Sequence, residues 1–507
     1  MILSGAAGSI ATRTLVADAL TPVRAYAALR EADPDGASFL LESVVGGERW
    51  GRYSILGYRP WYEAILDRTG WHLRRGSGAR GDTMPPDVRA TRPPPAPLSG
   101  TEAEDAIRSI EHLFRPLGGA AGEAARRASQ AARFAGAHVG YLAWDLVHFI
   151  EKVPPRTDAD WSDKLMPLAR FLGGATIVVF DALAQTVTIA ALDESGIERA
   201  LEDLNRTPKL SSVGIPDRSH LPQGLEIDLD DEAFKARVLR AKEYIAAGDA
   251  FQIVLARTFS VPRGGRDPFD VYRAMRLLNP SPYMYFLDFP PAPGEKERLR
   301  IAGASPETMV RLEDGIMTVR PIAGTRPRGK TPEEDKRLEE ELLADPKERA
   351  EHVMLIDLGR NDVGRIANIG SVDLVKKMEI EHYSHVMHIV SEVKGKIAEG
   401  TPPLEVVRSA FPAGTLSGAP KVRAMQIITE LETRPRGIYG GAIGYVATTS
   451  DLDFAIAIRT LVCRGDTFEV TAGAGIVEAS DPQSEADETR NKARGVLCAI
   501  EAAPRIG

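Results

Sequence analysis

The chain has 507 residues, 43% hydrophobic and 26% charged, which excludes a disordered or fibrous protein and leaves ample material for a buried core. Its 63 basic and 71 acidic residues give a net charge of −8 spread along the chain, which excludes a nucleic-acid or membrane-surface footprint. Only Cys463 and Cys498 are present, without Cys-x-x-Cys spacing, and no basic leader or bilayer-length apolar run occurs, so a cytoplasmic protein lacking a zinc or disulfide scaffold is expected.

In chain order, SFLLESVV and YSILGY read as strands bounded by glycine-containing turns. RRGSGARGDTMPPDVRATRPPPAPLSG, residues 74–100, is dense in Gly, Pro and Arg and is expected to be an exposed irregular loop. Strand-like runs resume at AHVGYLAWDLVHFIEKVP, ATIVVFD and QTVTIAA, the last two forming a hairpin. The polar segment LNRTPKLSSVGIPDRSHLPQG divides the chain into an N-terminal region, 1–222, and a second region, 223–507. In DDEAFKARVLRAKEYIAAGD, Phe234, Val238, Ala241 and Ile245 share one helical face and Gly248 stops the helix. FQIVLARTFSV is a strand, and irregular alternation follows without a dinucleotide or phosphate-loop glycine fingerprint. The class is α+β, built on large, mostly antiparallel sheets.

Two helix starts concentrate acid. Asp345-Pro346 precedes Glu348 and Glu351, and Asp481-Pro482 precedes Glu485 and Glu488. Alone, each is an ordinary capped helix start with acids favoured by the macrodipole. Together, side chains three apart on facing helices present oxygen ligands suited to Mg²⁺. PIAGTRPRG and TAGAG read as turns whose N–H groups could receive a carboxylate. Arg459 is a cation in an apolar strand-like run, requiring an ion pair or a ligand carboxylate. His388 lies on the face of Val386 and Val390, either a hydrogen-bonded core histidine or a general base. Glu307 follows a proline in a turn.

In order, GDAFQIVLAR, GASPE, PIAGTRPRG, AEHVMLIDLGRND, HVMH, GTLSGAPK, IYGGAIGY, AIAIRT, TAGAG and EADETRNKA resemble the chorismate-utilising enzyme family, from about residue 230 to 497. LLES, GRYSILG, GAHVGYLAWDLVHFIEKVP and NPSPYMYFL extend the resemblance to its anthranilate-forming group. The resemblance implies two sheets packed as a sandwich with helices outside. It also implies Mg²⁺-dependent conversion of chorismate and ammonia to anthranilate and pyruvate, the first committed step of tryptophan biosynthesis.

On this resemblance Glu351 and Glu488 match metal ligands, with Glu348 and Glu485 flanking. Glu307 matches the acid that protonates the leaving hydroxyl, and His388 the base of the second step. Gln252 stands where isochorismate- and salicylate-forming members carry a lysine, and Ala323 where aminodeoxychorismate-forming members do. Thr415 joins the catalytic set. Gly324, Thr325, Tyr439, Arg459, Gly473, Ala474, Gly475 and Lys492 match substrate-holding positions. Ser43, Pro282, Tyr283 and Met284 match a tryptophan feedback site. With no Gly-x-Cys-x-Gly stretch, ammonia is expected from a separate glutamine amidotransferase subunit, the pair often doubled. An aminodeoxychorismate-, aminodeoxyisochorismate- or isochorismate-forming sibling and a catalytically silent tryptophan-binding regulator remain as alternatives.

Overall fold

The computed structural model describes residues 11–43, 52–67, 70–79, 133–134, 136–154, 166–383 and 386–505. The irregular loop expected at 74–100 lies outside them from residue 80 onward.

Within the described residues the apolar runs pair into two antiparallel sheets, one of twelve strands and one of eleven. The first passes from Ala11–Val16 through Thr186–Ala191, Thr176–Asp181, Tyr53–Tyr58 and Ser38–Glu42 to Tyr283–Phe289, Leu299–Ser305, Thr460–Arg464, Thr467–Ile476 and Gln252–Pro262. The second passes from Ile322–Pro327 through Val386–Lys396, Ile316–Val319, Thr308–Glu313, Leu452–Ile456 and Ala442–Val446 to His138–Leu142, Ala169–Gly173, Tyr62–Asp67 and Gly70–Arg75. Each sheet thus takes strands from both sides of residue 222.

Phe39 and Ile301 of the first sheet share one core with Tyr141 and Ile443 of the second, so the sheets form a sandwich. The outer face of the first carries the helices Pro22–Ala32, Glu194–Leu204, Pro268–Leu278 and Pro482–Ala502. A further core joins the second to Pro346–Gly364, Pro403–Ala410 and Lys421–Leu431. The α+β expectation is met. The helix Asp231–Ala246 buries Phe234, Val238 and Ala241 on the face that periodicity gave it, and Thr176–Asp181 pairs with Thr186–Ala191 as the expected hairpin.

Three local expectations are corrected. The strand beginning at His138 ends at Leu142, and Trp144–Ile150 is helical. The Trp144 N–H donates to the Gly437 carbonyl and Asp145 accepts the Gly437 N–H, so a distant segment turns the chain. PIAGTRPRG and TAGAG are not turns: Ile322–Pro327 is a strand bulged at Gly324, and TAGAG lies within the strand Thr467–Ile476. Glycine lowers strand propensity, yet tight packing against these backbones requires it. Arg459 is not in a strand; it lies between Leu452–Ile456 and Thr460–Arg464 with φ 52°.

A buried arginine pairs within the second sheet and reaches the end of a first-sheet strand. Arg170, fully buried, donates to Glu63 Oε1 at 2.5 Å and to the Pro290 carbonyl at 2.7 Å. Glu63→Gln leaves that guanidinium buried without its carboxylate, and is expected to lower the unfolding free energy by about 3–5 kcal/mol, read as a lower denaturant midpoint.

Candidate active site

Two of the chain's crossings between the sheets lie side by side. Leu299–Ser305 of the first sheet passes through Pro306 and Glu307 into Thr308–Glu313 of the second. Leu452–Ile456 of the second returns through Ala457, Ile458 and Arg459 to Thr460–Arg464 of the first. The crossings are bonded together: the Ile456 N–H donates to the Glu307 carbonyl at 3.0 Å, and the Ala304 N–H to the Arg459 carbonyl at 3.2 Å. Neighbouring backbone over-determines the left-handed Arg459, which is how such strain persists.

Both side chains line a cavity of about 510 Å³. Gln252, Thr325, Glu351, His388, Thr415, Tyr439, Gly473, Gly475 and Lys492 line the same space, so the cavity gathers most of the catalytic and substrate-holding positions read from the sequence. Ala474, between Gly473 and Gly475, is wholly buried in the core and is not among the residues lining the cavity. A larger hollow of about 830 Å³, walled by residues such as Arg311, Arg320, Glu381 and Glu392, contains none of those positions. We place the site in the smaller cavity because the acid, the histidine and the cations converge there.

Burial pushes the Glu307 carboxyl up to about 7, against the hydrogen bond from Thr415 and the charge of Lys492, which pull it down. The Thr415 hydroxyl donates to Glu307 Oε1 at 2.8 Å. A carboxyl in this state is protonated for much of the time near neutrality and can act as an acid.

His388 Nδ1 lies 3.0 Å from the Gly324 carbonyl and 3.1 Å from the Thr325 hydroxyl. A carbonyl only accepts, so Nδ1 carries the proton and Nε2 keeps its lone pair. Burial holds the imidazole below its usual pKa and therefore neutral. Gly324, at φ 66°, forms the bulge that brings this carbonyl to the ring.

On the opposite wall, Lys492 Nζ donates to the Gly473 carbonyl at 3.0 Å and lies 2.6 Å from Glu488 Oε1. Arg459 Nη1 donates to the Lys492 carbonyl at 2.9 Å. In a strand a residue's N–H and C=O point to the same side, so the Gly473 N–H also faces this way. A Cβ at Gly473 would meet the Tyr439 hydroxyl at 2.7 Å, and one at Gly475 would meet Gln252 Nε2 at 2.8 Å. The glycines admit those two side chains. Gln252 Oε1 is buried without a hydrogen-bond partner.

The acidic helix starts form as read. Asp345 accepts the N–H groups of Lys347 and Glu348, and Asp481 that of Ser484. The helices Pro346–Gly364 and Pro482–Ala502 both reach the cavity, through Glu351 and Lys492, and burial first, then the charges of Glu348 and Glu488, raise the Glu351 pKa. Burial and Glu488 likewise raise that of Glu485. Glu348 pairs with Arg326 at 3.3 Å and Glu488 with Lys492. Among the described residues no three acidic, histidine or cysteine side chains already converge to ligate one ion.

Pro282 lines the active cavity, while Tyr283 donates to Asp453 at 2.9 Å and Met284 is buried in the core beneath. The pairing of Glu42 with Met284 carries Ser43 to the end of that strand, where its hydroxyl is buried and unpartnered. Sequence reading missed Arg218, which reaches the cavity from the polar segment taken as a boundary, and Tyr383, whose ring centroid is 5.6 Å from that of His388. Neither has a local signal.

The family described as chorismate binding enzyme matches residues 94–497. Anthranilate synthase component 1 of Acetivibrio thermocellus is 40% identical over 98% of this chain and 96% of its own length. That of Thermus thermophilus is 42% identical over 97% of each. The crystal structure of anthranilate synthase component I from Streptococcus pneumoniae superposes with a TM-score of 0.70 at 32% identity, covering 95% of this chain and 99% of that one.

Proposed function

The chain belongs to the chorismate binding enzyme family, and from that premise we propose that it converts chorismate and ammonia to anthranilate, pyruvate and water. One observation carries the reading: a buried carboxyl poised to stay protonated shares a cavity with a neutral amide, Gln252, and a pair of cations. An amide cannot deprotonate water, which argues against a hydroxylating sibling, but its free oxygen can accept an N–H of ammonia.

Arg459 and Lys492 hold the enolpyruvyl carboxylate, with Tyr439, Thr325 and the Gly473–Gly475 strand bounding the ligand. Glu307 gives its proton to the C4 hydroxyl, which leaves as water while the ammonia nitrogen bonds to C2 and the ring double bonds shift; the ammonium so formed sheds one proton, offsetting the one Glu307 gave. Thr415 keeps the Glu307 carboxyl aimed. His388 Nε2 then takes the C2 proton, the C3–O bonding pair leaves with enolpyruvate, which takes up a proton at its methylene carbon to become pyruvate, and the ring becomes aromatic.

The carboxylate donors fit a hard divalent cation: Glu351 and Glu488 as ligands, with Glu348 and Glu485 flanking. Mg²⁺ bound there would offset the repulsion between these acids and the ring carboxylate and draw electron density from the ring.

Ammonia comes from a glutamine amidotransferase partner. Both cysteines are buried, and burial pushes the Cys463 thiol up to about 11, the opposite of an activated nucleophile. The 1–222 region supplies Ser43 to a tryptophan site completed by Pro282, Tyr283 and Met284. Ser43→Phe is expected to weaken inhibition by tryptophan about tenfold or more, a loss of about 1.4 kcal/mol; an unchanged inhibition curve places the site elsewhere.

The deciding experiment mixes purified protein with chorismate, Mg²⁺ and an ammonium salt and follows fluorescence. Anthranilate fluoresces. Chorismate consumed without fluorescence identifies a non-aromatising sibling, and no consumption with retained tryptophan binding identifies a silent regulator.

A further inference from the structure

Behind the cavity wall lies a buried ion pair between Arg436 and Glu432, 6% and 5% exposed. Arg436 donates to the Glu432 carboxylate through Nε at 2.9 Å and Nη2 at 2.6 Å. Its Nη1 donates to the Leu416 carbonyl at 2.8 Å and its Nη2 to the Val254 carbonyl at 2.7 Å. The guanidinium lies 4.2 Å from the Trp144 ring centroid and 5.6 Å from that of Tyr439.

Each contact answers a local deficit. The strand Gln252–Pro262 pairs with Gly418–Ala419 only at Gln252 and Ile253. Beyond them the Val254 C=O goes to Arg436 and the Ala256 N–H to Glu432 at 2.9 Å, so the ion pair replaces a missing neighbour strand. Leu416 belongs to the four-residue helix Gly414–Ser417, whose final carbonyls have no partner within the helix. Arg436 supplies one. Thr415, whose hydroxyl holds Glu307, is the residue before.

We infer that Arg436 is a positioning residue for the reaction proposed above, on which reading this inference rests: through the Leu416 carbonyl it fixes the Gly414–Ser417 helix and so aims the Thr415 hydroxyl at Glu307. It touches neither substrate nor reacting atoms. A merely structural Arg436 would alter stability and leave the protonation of Glu307 alone.

The test reads Glu307 in glutamate-¹³C-labelled protein as the carboxyl signal missing from E307Q, beside kcat and KM against pH. Lys492, Arg459, Arg218, Glu351, His388, Tyr383 and Tyr439 also face this cavity and are kept in every variant. Arg436→Lys keeps the charge without the planar fork, and Glu432→Gln removes its partner charge. Both are expected to raise the Glu307 midpoint, because a lost Thr415 hydrogen bond no longer favours the carboxylate. The alkaline limb of kcat then moves to higher pH, and kcat falls about tenfold or more with KM little changed. Thr415→Val is expected to give the same midpoint, and R436K added to it to move the midpoint no further.

A wild-type Glu307 midpoint in folded R436K or E432Q overturns the inference, as does full additivity with Thr415→Val. Should R436K not fold, E432Q alone and combined with Thr415→Val makes the same comparison. Wild-type protein that forms no anthranilate overturns the proposed reaction instead, since the midpoint is read without turnover.

Discussion

Glu307→Gln is expected to lower kcat for anthranilate formation by about 10²- to 10⁴-fold, the range lost with a positioned general acid. The substitution preserves shape, and the amide oxygen still accepts from Thr415, which bonds the carboxylate at 2.8 Å in the native chain. What disappears is the proton. Hydroxide is a poor leaving group, so the C4 oxygen must be protonated as it departs. KM for chorismate should change little, because Arg459 and Lys492 remain.

The sign with pH follows from the same group. Burial raises Glu307 from the ordinary glutamate range to about 7, and in the proposed reaction only its protonated form acts. Wild-type kcat therefore falls as pH rises through about 7. The residual activity of E307Q loses that alkaline limb. A rate within a few-fold of wild type, or an unchanged pH profile, would exclude Glu307 as the acid.

Glu488→Gln should have the next largest effect. Glu488 stands one helical turn beyond Glu485, and its charge is felt by Glu351 on the other acidic helix. Groups that merely orient metal ligands cost about 10- to 100-fold in metal affinity when removed, and a direct ligand should cost at least as much. The Mg²⁺ concentration for half-maximal turnover is expected to rise by that factor or more, with calorimetric Mg²⁺ binding weakened in parallel. Tryptophan binding should persist. If Mg²⁺ dependence is unaltered, the metal is held elsewhere and Glu488 serves only as the 2.6 Å partner of Lys492.

Features governed by neighbouring residues were legible in the sequence. Asp345-Pro346 and Asp481-Pro482 start helices because a side-chain oxygen reaches amides two or three residues on. The hairpin at Thr176–Ala191 follows from two short apolar runs and a turn. Features governed by distant partners were not. Trp144 turns away from its strand on bonds to Gly437, almost three hundred residues later. TAGAG looks like a turn until Tyr439 and Gln252 are seen pressing on its glycines. Arg218 and Arg436 earn no notice as isolated letters, since backbone carbonyls remote in sequence set their roles. Family resemblance reached Glu307 and Arg459; periodicity could not, because both occupy crossings between sheets.

The mixed ancestry of each sheet bears on how the molecule comes into being. Ser38–Glu42 waits for Tyr283–Phe289, and the first sheet is not continuous until Thr460–Arg464 and Thr467–Ile476 arrive. A chain leaving the ribosome cannot complete the pairing of Ser38–Glu42 before Tyr283–Phe289 exists, nor that of His138–Leu142 before Ala442–Val446. A fragment lacking the first 222 residues would offer the apolar edge Tyr283–Phe289 to other molecules, a template for aggregation rather than a smaller working protein.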